Sequence, residues 1–220
     1  ILMRSLYESN QFGSLTYGHM PFVVAPHLNM KLFKPKKADP LQERAHGDGI
    51  TVNNQSPEAF EDVFWQTFEE TVSSPQPLLQ KTISDSDLID NVYSYINLIA
   101  ASHSKQRYLS KNNNNICRLH IIRSLFPNAT CLIPVRDPLQ HAFSLLKQHQ
   151  RFCEAQANDA FINDYMTWLG HREFGLGYVP YCNTNCPLRY PDPVQLNHWL
   201  EQWLLVHEFL VQSVGEDHNT

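Results

Sequence analysis

Arg136 and Ser144 stand eight positions apart in the stretch NATCLIPVRDPLQHAFSLLKQHQRF, residues 128–152. The arginine ends an apolar, strand-like run, and Asp137 and Pro138 then supply a helix cap and a first helical residue. Unpaired N–H groups and a partial positive charge collect at such a helix start, so an anion is favoured there. Helical spacing puts Ser144 in a polar stripe with Gln140, Lys147 and Arg151, opposite Leu139, Ala142, Phe143 and Leu146, which are expected to face a core. An arginine folded back along the stripe can fork onto two oxygens of an oxyanion while the serine hydroxyl donates to a third, a geometry that suits phosphate. A plainer arrangement suits the same residues: Arg136 paired with a carboxylate such as Asp137, and Ser144 solvated.

The elements that must hold this pair follow from the hydrophobic pattern. Ile1, Leu2 and Leu6 share one helical face. Ser56, Pro57 and Glu58 predict a helix start, with Phe60, Val63, Phe64 and Phe68 inward and Glu61, Asp62, Glu69 and Glu70 in water. A second helix is expected over 85–102 on Leu88, Val92, Ile96 and Ile99, and then RYLS reads as a strand ending at Lys111. The asparagines Asn112 to Asn115 precede a helix carrying Ile116, Leu119, Ile122, Leu125 and Phe126. TCLIPV, residues 130–135, is expected to be the next strand, although Pro134 removes one ladder donor. Helices over 161–169, capped by Gly170, and over 194–214 close the chain, with a long loop between them. Helix, strand, helix, strand, helix is the signature of a parallel α/β fold with right-handed crossovers, here with a helical C-terminal region.

Bulk properties set limits on function. The 220 residues, 42% of them hydrophobic, suffice for one core, so 1–220 is read as a single domain. A formal charge of -5 speaks against a nucleic-acid or anionic-membrane binder, so any anion site must be local. No apolar run approaches the roughly 18 to 20 residues of a membrane span, and the first residues do not read as a signal peptide. The five cysteines do not look like a disulfide framework, and the expected setting is reducing and cytoplasmic. Cys182 and Cys186 suit a pair or a metal, but plain thiols are favoured because structural zinc wants four ligands at characteristic spacings. The chain opens without a Met, inside a helix already under way, which predicts a fragment.

FPNATCLIPVRDPLQHAFSLL resembles the 3′-phosphate-binding segment of sulfotransferases that use 3′-phosphoadenosine-5′-phosphosulfate (PAPS), in which an arginine at a strand end and a serine eight positions later hold the 3′-phosphate. SLYESNQFGSLTYGHMPFVVAP, ERAHGDGI, SPEAFEDVFW and WLGHREFGLGY are similar to further stretches of the bacterial-type family. The resemblance implies a P-loop NTPase-like parallel sheet flanked by helices, PAPS as co-substrate, 3′,5′-adenosine bisphosphate (PAP) as product and no metal. The family's 5′-phosphosulfate loop would lie before Ile1.

The resemblance also implies roles for three further residues. Lys111 is the candidate for stabilising the sulfuryl group, a solvated lysine being the alternative. His19 and His46, the latter with Asp48 behind it, are the candidate general bases, since a reference histidine pKa of about 6.5 suits proton abstraction near neutral pH. The loops over 29–49 and 170–193 are expected to select a small-molecule or glycan acceptor. A non-catalytic nucleotide-recognition or interaction module on the same fold is the competing expectation. A kinase relative is disfavoured, because no G-x4-G-K-[ST] occurs.

Overall fold

The computed structural model describes residues 2–26, 28, 38–44, 49–68, 86–182 and 187–217, the side chains of 214–217 excepted. Tertiary contacts divide the chain into two compact units, 1–70 with 84–113, and 71–83 with 114–220. The architecture is α/β and mostly helical, with a small two-stranded parallel sheet.

In the first unit helix α1 (Leu2–Glu8) leads into strand β1 (Phe12–Gly13) and a 3-10 turn at Tyr17–His19. Strands β2 (Gln42–Glu43) and β3 (Thr51–Val52) form an antiparallel pair. Helices α2 (Glu61–Phe68) and α3 (Ser86–Ser102) follow, and then strand β4 (Arg107–Tyr108) pairs parallel with β1, Phe12 opposite Arg107 and Gly13 opposite Tyr108. Gly13 is required by packing: a Cβ there would lie 2.9 Å from the Cα of Ala100 on α3. The core joins Leu15 and Val23 to Phe60, Phe64, Leu88, Val92, Tyr95 and Ile99. Phe64 and Tyr95 stack with ring centroids 4.3 Å apart, and the Tyr95 hydroxyl donates to the Val23 carbonyl.

Helix α2 begins four residues later than its apparent start signal. Pro57 forms an isolated bridge with Thr16, and the Ser56 hydroxyl pairs with Asn53 instead of capping. Glu61 and Asp62, expected in water, are buried. Glu61 tolerates this because its carboxylate accepts hydrogen bonds from the Trp65 indole, the Tyr108 hydroxyl and the Ser110 hydroxyl, which replace lost hydration. The apolar expectations for Phe60, Val63, Phe64, Leu88, Val92 and Ile99 hold.

The second unit contains a 3-10 stretch ending at Arg118, then α4 (Leu119–Leu125), α5 (Pro138–Asn158), α6 (Ala160–Leu169) and α7 (Leu196–Asp217). Helix α5 packs on both α6 and α7. Its buried stripe is Ala142, His149, Phe152 and Gln156. Leu139 and Phe143, expected in the core, are 56% and 48% exposed, because the face that α5 buries runs through Ala142 and His149 and leaves both to solvent. Asp159 caps α6 and Gly170 ends it at φ 75, donating to the Met166 and Thr167 carbonyls, as the glycine predicts.

The expected strand at 130–135 is not a strand. Leu132 and Val135 are 58% and 69% exposed, and no described strand lies beside the segment. Pro134 offers no ladder donor and no described neighbour in this unit offers a ladder, so β propensity alone does not make a sheet. No helix among the described residues is long and apolar enough to cross a membrane.

Candidate functional site

Arg136 is exposed and immediately precedes α5. The Asp137 carboxylate accepts from the Gln140 N–H at 2.9 Å, so it acts as the helix cap and not as a partner for Arg136. Among the described residues the Arg136 guanidinium makes no hydrogen bond or ion pair. Its field, after the larger effect of burial, helps to lower the pKa of His141, and so His141 adds no cation at neutral pH.

Ser144 is exposed on α5, as are Gln140, Lys147 and Arg151, so the polar stripe stands as the spacing predicts. Seven residues separate it from Asp137, close to two full turns, so it lies on nearly the same side of the helix about 10 Å along the axis. The Lys147 ammonium lies 4.7 Å from the Phe143 ring centroid, which steadies a second cation beside Ser144. Arg136 before α5, and Ser144 and Lys147 on its exposed face, thus supply an unpaired guanidinium, a hydroxyl and an ammonium, while the Asp137 carboxylate is tied to the backbone.

Lys111, in the first unit, follows β4 and is exposed. It borders a narrow crevice with Ser110, Glu58, Glu61 and Ser14. Glu58 is held by the Tyr17 hydroxyl at 3.1 Å and lies 3.8 Å from Arg44. Sequence reasoning missed the buried Glu61 cluster, because an acid on the first turn of an amphipathic helix ordinarily reads as solvated. The one available signal is Trp65 four residues on, whose indole N–H needs an acceptor when buried.

His19 is fully buried at the end of its 3-10 turn. Its Nδ1 accepts from the Thr16 N–H at 3.0 Å and sits 3.1 Å from the Thr16 hydroxyl. With Nδ1 the acceptor, the neutral ring carries its proton on Nε2, which is buried and has no hydrogen-bond partner among the described residues. His103 lies beside it, ring centroids 5.5 Å apart, also with an unpartnered buried Nε2. Burial first, and then the His103 charge, lower the His19 pKa to about 4. A ring held this way is neutral at pH 7 and presents no lone pair to solvent. His46, Asp48 and Cys186 lie outside the described residues.

A second histidine cluster occupies the core of the other unit. His198, also fully buried, donates from Nδ1 to the Tyr190 carbonyl and accepts from the Tyr178 hydroxyl, both at 2.7 Å. His149 accepts from the Gly175 N–H at Nδ1, which leaves its Nε2–H facing the Cys153 sulfur at 3.6 Å. That tautomer cannot take a proton from the thiol, and burial raises the Cys153 pKa, so the pair is not an activated nucleophile. No group of three or more His, Cys, Asp or Glu able to hold a metal occurs among the described residues.

The structure thus places Arg136 just before α5 and Ser144 on it, in the second unit, while His19 and Lys111 belong to the first. No protein-family model, curated protein or solved structure matches the chain.

Proposed function

We propose that the chain is a PAPS-dependent sulfotransferase in which Arg136 and Ser144 grip the 3′-phosphate of the donor, on a P-loop-like α/β fold. One observation carries the reading: Arg136, with no ion pair among the described residues, stands at the Asp137-capped start of α5 with exposed Ser144 about two turns along the same side. A phosphate dianion between them would receive two guanidinium N–H donors and one hydroxyl, with the helix N-terminus adding favourable potential. The parallel β1–β4 pairing supports the fold part of the proposal.

In the transfer, an acceptor hydroxyl or amine attacks sulfur and the bond from sulfur to the bridging phosphate oxygen breaks. PAP leaves with that electron pair, and the acceptor proton passes to a base. Lys111, exposed in the segment after β4, is the proposed cation for the charge that builds on the sulfuryl and bridging oxygens. His46 remains the proposed base; the enclosed His19 ring has its one lone pair engaged by the Thr16 N–H and is not proposed for that role. The acceptor is a small molecule or glycan.

A specific observation favours a second reading. His19, the candidate base whose ring can be described, is buried with Nδ1 engaged, and this suits a nucleotide-recognition module without transfer chemistry. Calorimetric titration tests the shared element of both readings. PAP is expected to bind roughly tenfold or more tightly than 5′-AMP, a difference of one charge-assisted contact, and Arg136→Ala is expected to abolish that preference. Equal affinity of the wild type for the two nucleotides sinks both. Transfer of labelled sulfate from PAPS to any acceptor then decides for the enzyme.

A further inference from the structure

The first unit contains an open cleft of about 330 Å³ that takes no part in the donor site proposed above. One wall is α1, contributing Arg4, Tyr7 and Glu8, and the other is β3 and the turn after it, contributing Thr51, Asn53, Gln55 and Ser56, with Leu41 and Pro57 completing the lining. Its polar groups are divided between those that build the wall and those left to a ligand. The Ser56 hydroxyl and the Asn53 side chain bond each other, and the Asn53 amide also donates to the Asp39 carbonyl, so these two hold the turn in shape.

Arg4, Glu8, the Tyr7 hydroxyl, the Thr51 hydroxyl and the Gln55 amide, by contrast, make no side-chain hydrogen bond or ion pair among the described residues. Arg4 and Glu8 are one helical turn apart yet do not pair with each other. The cleft therefore presents a strong donor and a strong acceptor side by side, at zero net charge, and an amide and hydroxyls able to do either.

This pattern selects the ligand. A phosphate or polyanion would be repelled by Glu8, and a cation by Arg4. A phenol or aliphatic chain would engage neither the two charges nor the amide, and would leave them to water. A ligand dense in hydroxyls, each both donor and acceptor, satisfies all of them, and its C–H faces can lie on the Tyr7 ring and on Leu41, which is 63% exposed. The volume is at the low end for small-molecule sites and suits about two sugar rings. We propose that the cleft between α1 and the β3 turn is a binding site for a neutral saccharide, held by Arg4, Glu8 and Gln55 against the Tyr7 ring. The further statement that this saccharide is the sulfate acceptor rests on the sulfotransferase reading; the binding does not.

The test uses the whole chain and saturation-transfer NMR with a panel of neutral tetrasaccharides built from glucose, galactose, mannose or N-acetylglucosamine. Tetragalacturonate and 4-nitrophenol serve as anionic and phenolic alternatives. At least one neutral tetrasaccharide is expected to bind, and Arg4→Ala and Gln55→Ala, both surface changes, are each expected to weaken it roughly tenfold with the circular dichroism unchanged. Absence of binding across the neutral panel overturns the proposal, as does binding indifferent to both variants or a stronger response to tetragalacturonate or 4-nitrophenol. PAP and 5′-AMP titrations of the same samples keep the two ideas apart. Saccharide binding without 3′-phosphate preference retains the cleft and removes the acceptor role, and the converse removes the cleft alone.

Discussion

At the scale of single residues the local field matters more than residue type. His19 and Arg136 both attract attention as chemistry-bearing side chains, and their surroundings treat them oppositely. The Arg136 guanidinium stays in solvent with its donors available, whereas His19 is enclosed with its Nδ1 fixed by Thr16 and its pKa lowered from 6.5 to about 4. A lowered folded pKa means that the unfolded chain takes up the proton first as pH falls. The native state is thus at full advantage above about pH 6.5 and loses it progressively down to about pH 4. The loss attributable to His19 is at most about 3 kcal/mol.

His103, also lowered chiefly by burial, contributes with the same sign. Because Gln at position 19 can still accept the Thr16 N–H without ever charging, His19→Gln is expected to flatten, though not abolish, the acid limb. Urea midpoints at pH 7.5 and pH 5 check this: a variant that loses as much stability as the wild type refutes the buried-histidine account.

The elements show where local preference is enough and where it is not. Asp137, Pro138, Asp159 and Gly170 end their helices through contacts within a few residues, and all four behave as local chemistry dictates. TCLIPV, by comparison, needs a neighbouring strand to satisfy its backbone, and the described residues supply none. Cys131 lies within this segment and is exposed, while Cys117, at the 3-10 stretch before α4, is buried. A thiol reagent such as 5,5′-dithiobis(2-nitrobenzoate) is therefore expected to modify Cys131 in the native chain at least tenfold faster than Cys117, access being a main determinant of thiol reactivity. Comparable slow rates, with peptide mapping to assign them, would mean that the segment is covered.

For the whole molecule, charge is the relevant quantity. The chain carries a formal -5, so a phosphate ligand is opposed by the net charge and depends on local cations such as Arg136 and Lys147. An exposed site of this sort is screened over about 10 Å at 0.1 M salt. Raising salt from 50 to 500 mM is expected to weaken PAP binding several-fold, and Arg136→Ala is expected to reduce that dependence. Salt-independent PAP binding would indicate a grip that does not use exposed cations.

What the sequence determined by itself is what depends on near neighbours: the α/β class, the helix ends at Asp137 and Gly170, the inward positions of α2 and α3, and the exposed stripe Gln140, Ser144, Lys147 and Arg151. Side-chain periods and cap hydrogen bonds act over a turn or two, so spacing is enough to read them. The tertiary structure decided the burial of Glu61 and His19, the facing of Leu139 and Phe143 toward solvent, the unpaired state of 130–135 and the polar cleft beside α1. Each of these depends on partners far along the chain. Glu61 meets Tyr108 and Ser110 from beyond α3, and His19 lies against His103. Desolvation by distant segments sets whether a polar group is solvated, satisfied or left available, and residue spacing carries no record of it.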